Sequence, residues 1–375
     1  MQNYRADFYP FVPVGHLKVW ILVPDVLSKD ENINYYYDFK ESYKEFEEVF
    51  KLLQFPWVWL PLTIDNYKTQ IVKIKRERED GLFFPIALNL CDGDDINGAP
   101  GINVIKYLEN LNVLYTGSNQ FFYKITTSKI DMKKAFDEQK ISTPSWYVLD
   151  KIFLSQSSKN LEFPLIVKPA ISAGSLGISV KNVVHNLKEL QSVYKYLASD
   201  PINDWHLNEG GIFAEKFIIG REFTCFLIGD SNNKKNRLIY EPVERVFHSS
   251  LNDFEKFLSY ERLWEIYENE TAMPNDEVFF NYQLPPQHLI EQIKELSWQA
   301  FCAVKGVGYA RIDIRFDELT NKMYVLEINA QCGISEDENF TSIGAILKFS
   351  NKSYAEMLKD IINEAFLRNS ENFEL

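Results

Sequence analysis

Two strand-like segments near the end of the chain constrain its fold and function more than any other feature. In residues 309–316 (YARIDIRF) apolar and charged side chains alternate, which predicts a strand with one apolar and one polar face. Residues 322–330 (KMYVLEINA) alternate in the same way. Because only DELTN separates the two segments, we predict a β-hairpin.

The alternation sorts the side chains of this hairpin into two faces. On the first strand, the polar face carries Arg311, Asp313 and Arg315. On the second strand, it predicts one face with Val325, Glu327 and Asn329, and an opposite face with Tyr324, Leu326 and Ile328. A register symmetric about Thr320 would set Asp313 opposite Glu327 and Arg311 opposite Asn329.

Two carboxylates that face each other across a strand pair repel, so the hairpin needs a compensating charge. A divalent cation with oxygen ligands removes the conflict, and Asp, Glu and Asn are ligand types that Mg²⁺ takes. We therefore predict a metal site at Asp313, Glu327 and Asn329, with Arg311 able to hold a transferring phosphoryl group. The alternative is a solvated outer face of a sheet.

A second segment, residues 165–179 (LIVKPAISAGSLGIS), combines a strand with a loop of small residues. The strand carries Lys168, and the loop contains Ser172, Gly174, Ser175 and Gly177. Glycines let backbone amides approach phosphate closely, and a lysine supplies a point charge for phosphate oxygens. The P-loop pattern GxxxxGK[ST] is absent here, and a flexible hairpin loop is the alternative.

A third segment, residues 211–224 (GIFAEKFIIGREFT), reads as two strands around a turn. A strand edge at Glu215 and Ile218 offers main-chain groups to a base, and Glu222 could accept from ribose hydroxyls. A ladder of two ordinary strands explains the segment equally well.

Composition and length bound the class of protein. The chain has 375 residues, of which 46% are hydrophobic and 25% charged, so it is globular and long enough for two or three domains. Its net charge of -13 disfavours nucleic acid and anionic membranes as partners. Four scattered cysteines without a CxxC pair, no secretory pattern at the start and no long apolar run lead us to expect a cytoplasmic protein.

The order of the predicted elements gives an α/β class that becomes α+β in the C-terminal half. Strands at 18–24, 57–62, 84–90 and 113–116, with helices at 43–53 and 104–111, indicate a parallel βα domain. One helix is predicted at 126–139. We predict domains at 1–122, 123–212 and 213–375. The stretch 241–284 reads as irregular. Within it, the Phe- and Tyr-rich residues 247–282 suggest a lid or substrate wall, ordinary core or a dimer surface.

Together these segments resemble the ATP-grasp superfamily, most closely its D-alanine–D-alanine ligase branch. The resemblance covers about residues 89–347 and rests on NLCDG, YTGSNQFFYKITTSKIDMKKAF, IVKPAISAGSLG, AEKFIIGREFT, FEKFLSY and GYARIDIRFD…YVLEINAQCGIS. It implies an ATP-grasp fold, in which two α+β subdomains sandwich ATP behind an N-terminal parallel βα domain.

The resemblance also implies roles for individual residues. Lys129 and Lys168 would contact ATP phosphates beneath the loop that carries Ser172, Gly174, Ser175 and Gly177. The adenine would be framed by Glu215, Lys216 and Ile218, the ribose held by Glu222, and Lys256 would reach ATP from a mobile flap. Two Mg²⁺ ions, or Mn²⁺, would bind Asp313, Glu327 and Asn329. The catalytic set would be Arg311, the amide of Gly333 and Ser175.

The implied reaction joins a small carboxylate to an amine, with amino acids or a natural-product precursor as substrates. The carboxylate attacks the γ-phosphate to give an acyl phosphate and ADP, and the amine then displaces phosphate. Relatives of this kind are often homodimers, so a homodimer is a possible assembly.

The chain departs from the branch at three places. The expected Gly-Gly-Ser/Thr…Glu signature after the first strand is absent from PDVLSKDENINYYY, and a His-Gly motif becomes Asp92–Gly93. A Ser- and His-containing turn that holds the second D-alanine's carboxylate becomes Ser335–Glu336–Asp337–Glu338. Because acids facing the substrate would repel a carboxylate, we hypothesise an acceptor other than D-alanine; the alternative is that these acids face solvent.

Three other functions stay open. The chain could be a genuine D-alanine–D-alanine ligase, an ATP-grasp enzyme that phosphorylates without ligating, or a catalytically inactive nucleotide-binding sensor or scaffold. Cys332, next to Gly333, is interpreted as a packing residue because no base is placed by sequence to activate it.

Overall fold

A three-stranded parallel sheet forms the first part of the chain, as its apolar runs predict. The order is β2-β1-β3, from β1 (Leu17–Pro24), β2 (Trp57–Leu62) and β3 (Phe84–Asn89). Helices α1 (Lys40–Leu53) and α2 (Tyr67–Asp80) connect them, since parallel strands need crossover connections. The structure is a computed structural model that describes residues 12, 16–26, 34, 37–156, 161–172, 174–199, 206–265, 267, 270–274, 277–337 and 341–369, without the side chains of 155 and 156.

One prediction for this region was wrong, and one helix was not predicted. The predicted strand at 113–116 is only a single parallel bridge between Ala87 and Tyr115, which follows α3 (Gly101–Asn110). Helix α2 was missed because its sequence, YKTQIVKIKRERED, is mostly charged, and only Ile71 and Ile74 are buried. A helix with so narrow an apolar stripe carries little periodic signal.

A four-stranded antiparallel sheet follows, with the order β4-β7-β5-β6. Its strands are β4 (Trp146–Leu149), β5 (Leu165–Pro169), β6 (Val183–Val184) and β7 (Ile212–Lys216). The helices are α4 (Gln120–Thr127), α5 (Lys129–Glu138), α6 (Lys151–Gln156) and α7 (Leu187–Leu197). The single helix predicted at 126–139 is two helices, because extended Ser128 ends α4 and caps α5 by accepting from the amide of Asp131.

The strands on either side of Gly220 belong to different sheets. Strand β7 pairs with β4 and β5, whereas β8 (Arg221–Asp230) pairs with strands further along the chain. A simple ladder between the two segments is therefore wrong. At Gly220 an added Cβ would lie 2.0 Å from the carbonyl oxygen of Phe316, so only glycine fits where the chain changes sheets. We propose that the second domain ends after Lys216 rather than at residue 212.

The third sheet has six strands and holds most of the predicted metal and catalytic residues. Its order is β11-β10-β8-β12-β13, and β9 also pairs with β8. These strands are β9 (Asn233–Ile239), β10 (Val243–Phe247), β11 (Phe280–Gln283), β12 (Val307–Asp317) and β13 (Lys322–Ala330). Helices α8 (Tyr260–Leu263), α9 (Gln287–Ala303), α10 (Ile343–Ser350) and α11 (Tyr354–Arg368) complete the region. The stretch 241–284 is thus not irregular throughout, since it contains β10, α8 and β11.

The predicted hairpin register is confirmed at the polar residues. Arg311 lies opposite Asn329, and Asp313 lies opposite Glu327. Beyond Asp313 the register shifts, so that Ile314 pairs with Val325 and Leu326 is an extra residue, a β-bulge.

The bulge overturns one part of the predicted face pattern. Val325 is fully buried in the apolar core with Ile312 and Ile314, whereas Leu326 lines the same cavity as Glu327 and Asn329. The assignment of Val325 to the face of Glu327 was wrong because one additional residue inverts strict alternation.

The last helix is tied back to the first sheet by a buried acid and an arginine. Arg368 donates to the backbone carbonyls of Gly117 and Tyr115, at 2.8 and 3.0 Å. Its Nε lies 3.6 Å from Oε1 of buried Glu364. Burial raises the pKa of Glu364 to about 7, although the charge of Arg368 opposes this.

Among the residues that the structure describes, no helix is both long enough and apolar enough to cross a membrane.

We predict that Glu364→Gln makes the protein more stable at pH 8 than the wild type but not at pH 5. A raised carboxyl pKa means that the native state holds the proton more tightly than the unfolded chain. Wild-type stability therefore falls as pH rises from about 4.5, the usual value, to about 7. Glutamine escapes that loss, which amounts to roughly 3 kcal/mol. Urea unfolding at both pH values measures the difference, with exposed Glu47→Gln as control; a pH-independent difference would contradict the prediction.

Candidate functional site

A cavity of about 690 Å³ receives residues from all three sheets. Most of the residues predicted from sequence line it: Lys129, Lys168, Ser172, Gly174, Ser175, Glu215, Lys216, Ile218, Glu222, Arg311, Asp313, Glu327, Asn329 and Gly333. Segments that lie up to about 200 positions apart in sequence therefore meet in one place. The solvated-face alternative for the hairpin is wrong, because its polar side chains face this cavity.

The amide of Asn329 lies between the two carboxylates of the hairpin. Its Nδ2 is 3.1 Å from Oδ2 of Asp313 and 3.4 Å from Oε1 of Glu327. Thr224 donates to the other oxygen of Asp313, and Arg311 Nη2 lies 3.2 Å from Asp313 Oδ2. Asp313, Glu327 and Asn329 carry oxygen atoms of the kind that Mg²⁺ binds. The amide of Asn329 lies within hydrogen-bond distance of both carboxylates.

Two carboxylates and an amide are a sparse protein ligand set. Within the described ranges, no three His, Cys, Asp or Glu side chains are grouped so that they could hold a metal. Magnesium commonly binds through one or two carboxylates and completes its shell with phosphate oxygens and water. The residues present therefore fit an ion that arrives together with a phosphate group, rather than one caged by protein alone.

Glu327 stays ionised because cations surround it. Burial would raise its pKa, but the charges of Lys129, Lys168 and Arg311 outweigh burial and lower the pKa to about 2. Lys129 Nζ is 3.5 Å from Oε2 of Glu327 and also donates to the carbonyl of Ser172 at 3.1 Å. Lys129 thereby links the metal ligands to the glycine-rich loop.

Glu215 lines the cavity and lies between two lysines. Lys168 Nζ is 2.7 Å from Oε1 of Glu215, and Lys133 Nζ is 2.6 Å from Oε2. Burial would raise the pKa of Glu215, but the two ammonium groups hold it below its usual value. Lys133 is fully buried and also donates to the hydroxyl of Thr143. Glu215 thus positions Lys168, the predicted phosphate ligand.

Glu222 is held in a similar way by two arginines. Arg245 and Arg315 both pair with Glu222, the latter at 2.7 Å. Arg245 also donates to the hydroxyl of Tyr282 at 3.2 Å, and all four side chains line the cavity. The predicted ribose ligand is therefore oriented by its neighbours.

The aromatic segment predicted as a possible substrate wall does line the cavity, through Phe257, Trp264, Phe280 and Tyr282. It is joined to the glycine-rich loop: Trp264 Nε1 donates to the carbonyl of Gly174 at 2.9 Å. The amide of Tyr260 donates to the carbonyl of Ile178 at 2.8 Å. These bonds couple two walls of the cavity. Residue 173, inside the predicted loop, lies outside the described residues.

Two predicted ligands do not line the cavity. An added Cβ at Gly177 would lie 2.8 Å from Leu207, and its carbonyl accepts from Asn182, so Gly177 packs behind the loop. The ammonium of Lys256 pairs with Asp253 at 2.7 Å, and only the backbone carbonyl of Lys256 points to the site, where it accepts from Arg315. The assignment of Gly177 and of the Lys256 ammonium as direct ligands lacks support from their positions.

The turn after Gly333 differs from the sequence interpretation. Thr341 and Ser342 line the cavity, whereas Glu336 and Asp337 do not; Glu338 lies outside the described residues. The predicted repulsion of a substrate carboxylate therefore has no basis in Glu336 or Asp337.

Ser342 is almost fully buried at the start of α10, and its Oγ has no hydrogen-bond partner in the described part of the chain.

Cys332 also lines the cavity, and burial raises its pKa to about 12. A neutral thiol agrees with its interpretation as a packing residue.

Sequence reasoning missed Lys133, Arg245 and Ser342. Lys133 lies four residues after Lys129 on the same helix face, so i,i+4 spacing could have brought it to notice. Arg245 shares a face of β10 with Val243, in a stretch that was interpreted as irregular. Ser342 precedes the apolar run IGAIL, as helix caps do, but the prediction for this turn was based on the acidic residues before it.

We predict that Lys133→Met lowers the free energy of unfolding by about 3 kcal/mol, because it leaves the buried Glu215 carboxylate with one cation instead of two. Lys134→Met is a matched control, since Lys134 is exposed and pairs with exposed Asp131. We expect that control to change stability by less than about 0.5 kcal/mol. Equal effects of the two substitutions in urea unfolding would refute the burial argument.

Comparison with known proteins agrees with this geometry. Residues 136–363 match the family model described as D-ala D-ala ligase C-terminus. The D-alanine–D-alanine ligase of Borrelia duttonii (strain Ly) is 29% identical over 223 residues, 59% of this chain and 53% of the relative. D-alanine–D-alanine ligase A of Bacillus cereus is 26% identical over 320 residues, 84% of this chain and 89% of the relative. The chain thus spans about half of the first relative and most of the second.

A solved structure shows the same fold. The D-alanine–D-alanine ligase of Bacillus anthracis complexed with ATP superposes with a TM-score of 0.65 at 20% identity, covering 96% of this chain and all of that one. The predicted ATP-grasp architecture and the resemblance to the D-alanine–D-alanine ligase branch are confirmed. The family model covers well over half of the chain, and the chain belongs to the family defined by the D-alanine–D-alanine ligase C-terminus.

Proposed function

We propose that this protein is an ATP- and Mg²⁺-dependent ligase that phosphorylates an amino acid carboxylate and joins it to an amine. The observation that carries the proposal is the convergence of Asp313, Glu327 and Asn329 with Lys129 and Lys168 in one cavity. Relatives named as D-alanine–D-alanine ligases make D-alanine the first substrate to test on either side of the reaction.

The phosphate end of the cavity explains how an acidic chain could hold ATP. Lys129 and Lys168 meet at Glu327 and Glu215 and supply positive charge where the triphosphate would lie. Ser172, Gly174 and Ser175 form a loop above them, with Gly174 and Ser175 in the left-handed region at φ 55° and 61°. Such a loop turns backbone amides towards an anion. Ile218, Glu222 and the aromatic wall would then enclose the nucleoside.

The hairpin end of the cavity suits the reacting atoms. Asp313, Glu327 and Asn329 would hold Mg²⁺, which neutralises charge on the transferring phosphoryl group. Arg311 lies beside Asp313 and can stabilise negative charge as the carboxylate oxygen attacks phosphorus. The loop and the aromatic wall, joined through Trp264, would exclude water from the acyl phosphate.

Ser342 supports a carboxylate on the second substrate. Among the residues that the structure describes, its buried hydroxyl lacks a hydrogen-bond partner, and it lies at the N-terminus of α10, where the helix dipole favours an anion. The resemblance places the turn that holds this carboxylate at Ser335–Glu338, so Ser342, which lies beyond that stretch, would take over the role of the turn. D-alanine as the amine substrate is therefore a stronger candidate than the acidic residues at 336–338 suggested.

An inactive scaffold fits the structure less well. In the described part of the chain, Lys129, Lys168, Arg311 and the three metal-type ligands are all present and all line the cavity. A protein that phosphorylates without ligating would need no site for a second carboxylate.

The four cysteines are all unpaired, and together with the need for ATP this favours the cytoplasm.

The central test is ADP formation from ATP and D-alanine with Mg²⁺, with the dipeptide identified by mass spectrometry. We expect Glu327→Gln to lower kcat at least about 100-fold, because a metal ligand and its charge are lost. Glu318→Gln, in the exposed turn of the same hairpin, should leave kcat unchanged. Equal activity of the two variants would refute the metal site, and ADP without any amide product would indicate a kinase.

Ser342→Ala tests the second-substrate site separately. Loss of a hydrogen bond to a carboxylate should raise the KM of the amine substrate about 10- to 100-fold without changing the KM of ATP. Exposed Ser249→Ala serves as the control. A change in the KM of ATP instead would assign Ser342 to the nucleotide.

A further inference from the structure

Asp92 is a cavity residue that the mechanism above does not use. It follows β3 at the carboxyl end of a parallel strand, where ligands commonly bind in sheets of this kind. The hydroxyl of Tyr123 lies 2.8 Å from its Oδ1 and 2.7 Å from the carbonyl oxygen of Gly93, so its single proton is shared between these two acceptors. Tyr123 thus fixes the orientation of a carboxylate in the cavity wall.

Among the described residues no cation balances Asp92, unlike Asp38 and Glu41 at the same end of the cavity. Asp38 pairs with Lys40 at 2.9 Å, and Glu41 pairs with Lys44 at 2.7 Å. Asp94 accepts from the side-chain amide of Asn97. Within the ranges that the structure describes, no lysine, arginine or histidine lies within ion-pair distance of Asp92. Lys129 is close enough to influence it but is engaged by Glu327 and Ser172.

An oriented carboxylate without a counter-ion is costly to bury. Burial raises the pKa of Asp92, and the neighbouring charge of Asp94 raises it further. A cationic group on a bound substrate would remove that cost. A charge-assisted hydrogen bond to an ammonium is also about twice as strong as a bond to a neutral hydroxyl.

We propose that Asp92 binds the α-ammonium group of the carboxylate substrate, so that the enzyme selects a zwitterionic amino acid over a hydroxy acid or a plain carboxylate. This inference rests on the proposed ligase function and deepens it. It gives a role to the position at which the chain departs from the His-Gly motif of the family it resembles.

The reaction chemistry decides which substrate Asp92 serves. The attacking amine must give up a proton before its lone pair can form the new C–N bond; the C–O bond to phosphate then breaks and phosphate leaves with the electron pair. A lasting carboxylate–ammonium pair would oppose that loss of charge. It suits an ammonium that never reacts, which is the α-amino group of the substrate that is phosphorylated.

Hydroxylamine trapping isolates this site. Hydroxylamine converts an acyl phosphate to a hydroxamate, so product forms from ATP and a carboxylate without the amine substrate. The probes are D-alanine, L-alanine and glycine, each paired with the hydroxy acid of the same shape: D-lactate, L-lactate and glycolate. The variants are Asp92→Asn, which still accepts from Tyr123, and Asp95→Asn, an exposed neighbour that does not line the cavity.

We expect the wild type to prefer an amino acid over its hydroxy acid counterpart. Asp92→Asn should lower kcat/KM for that amino acid about 10- to 100-fold, while the hydroxy acid changes less than about threefold. The KM of ATP should stay unchanged and the melting temperature should not fall, because the amide removes the cost of burying an unpaired carboxylate; Asp95→Asn should match the wild type.

Three outcomes would overturn the inference in distinguishable ways. If Asp92→Asn retains the wild-type preference, or if both substrate classes lose equally, Asp92 does not bind the ammonium and the ligase proposal survives. If the wild type prefers a hydroxy acid, the inferred substrate class is wrong. If none of the six carboxylates gives hydroxamate, the ligase proposal fails and this inference fails with it.

Discussion

One additional residue in β13 determines which side chains reach the cavity. Near the turn, Met323 and Val325 face the core, and past the bulge Ile328 and Ala330 do so. Leu326 is the additional residue and shifts the alternation by one position. Glu327 and Asn329 therefore face the cavity opposite Asp313 and Arg311. Without the bulge, either the apolar residues near the turn or the polar residues at the site would point the wrong way. The hairpin can therefore serve the core and the site at once.

Around this hairpin, buried charges are arranged in matched groups rather than singly. Glu215 lies between two lysines, and Glu222 lies between two arginines. Buried ion pairs contribute little net stability, since desolvation offsets their attraction. Their value here is geometric, because each acid fixes the direction of a cation that faces the cavity. A chain of net charge -13 can in this way present local positive charge to a triphosphate.

Some features of the site are set by local sequence and could be predicted, whereas others depend on tertiary packing and could not. The register between Asp313 and Glu327 could be read from alternation and a short turn, because both are local properties. Lys133 could not be assigned a partner, since its contact with Glu215 joins residues 82 positions apart through the packing of α5 on β7. The turn after Gly333 was misread because consecutive acids say nothing about which residue of a loop points inward. Burial assigned that position to Ser342.

The sequence by itself determined the strands of the last hairpin and the glycine-rich loop, because periodicity and local spacing are enforced by the backbone within a few residues. The motifs that the chain shares with the family it resembles indicated the residue types of a metal and phosphate site. Only the tertiary structure decided that Gly177 and Lys256 stay off the cavity wall and that two lysines share Glu215. It also decided that Asp92 has no counter-ion among the residues that the structure describes. Such relations depend on how separate sheets and helices pack, and no local pattern carries that information.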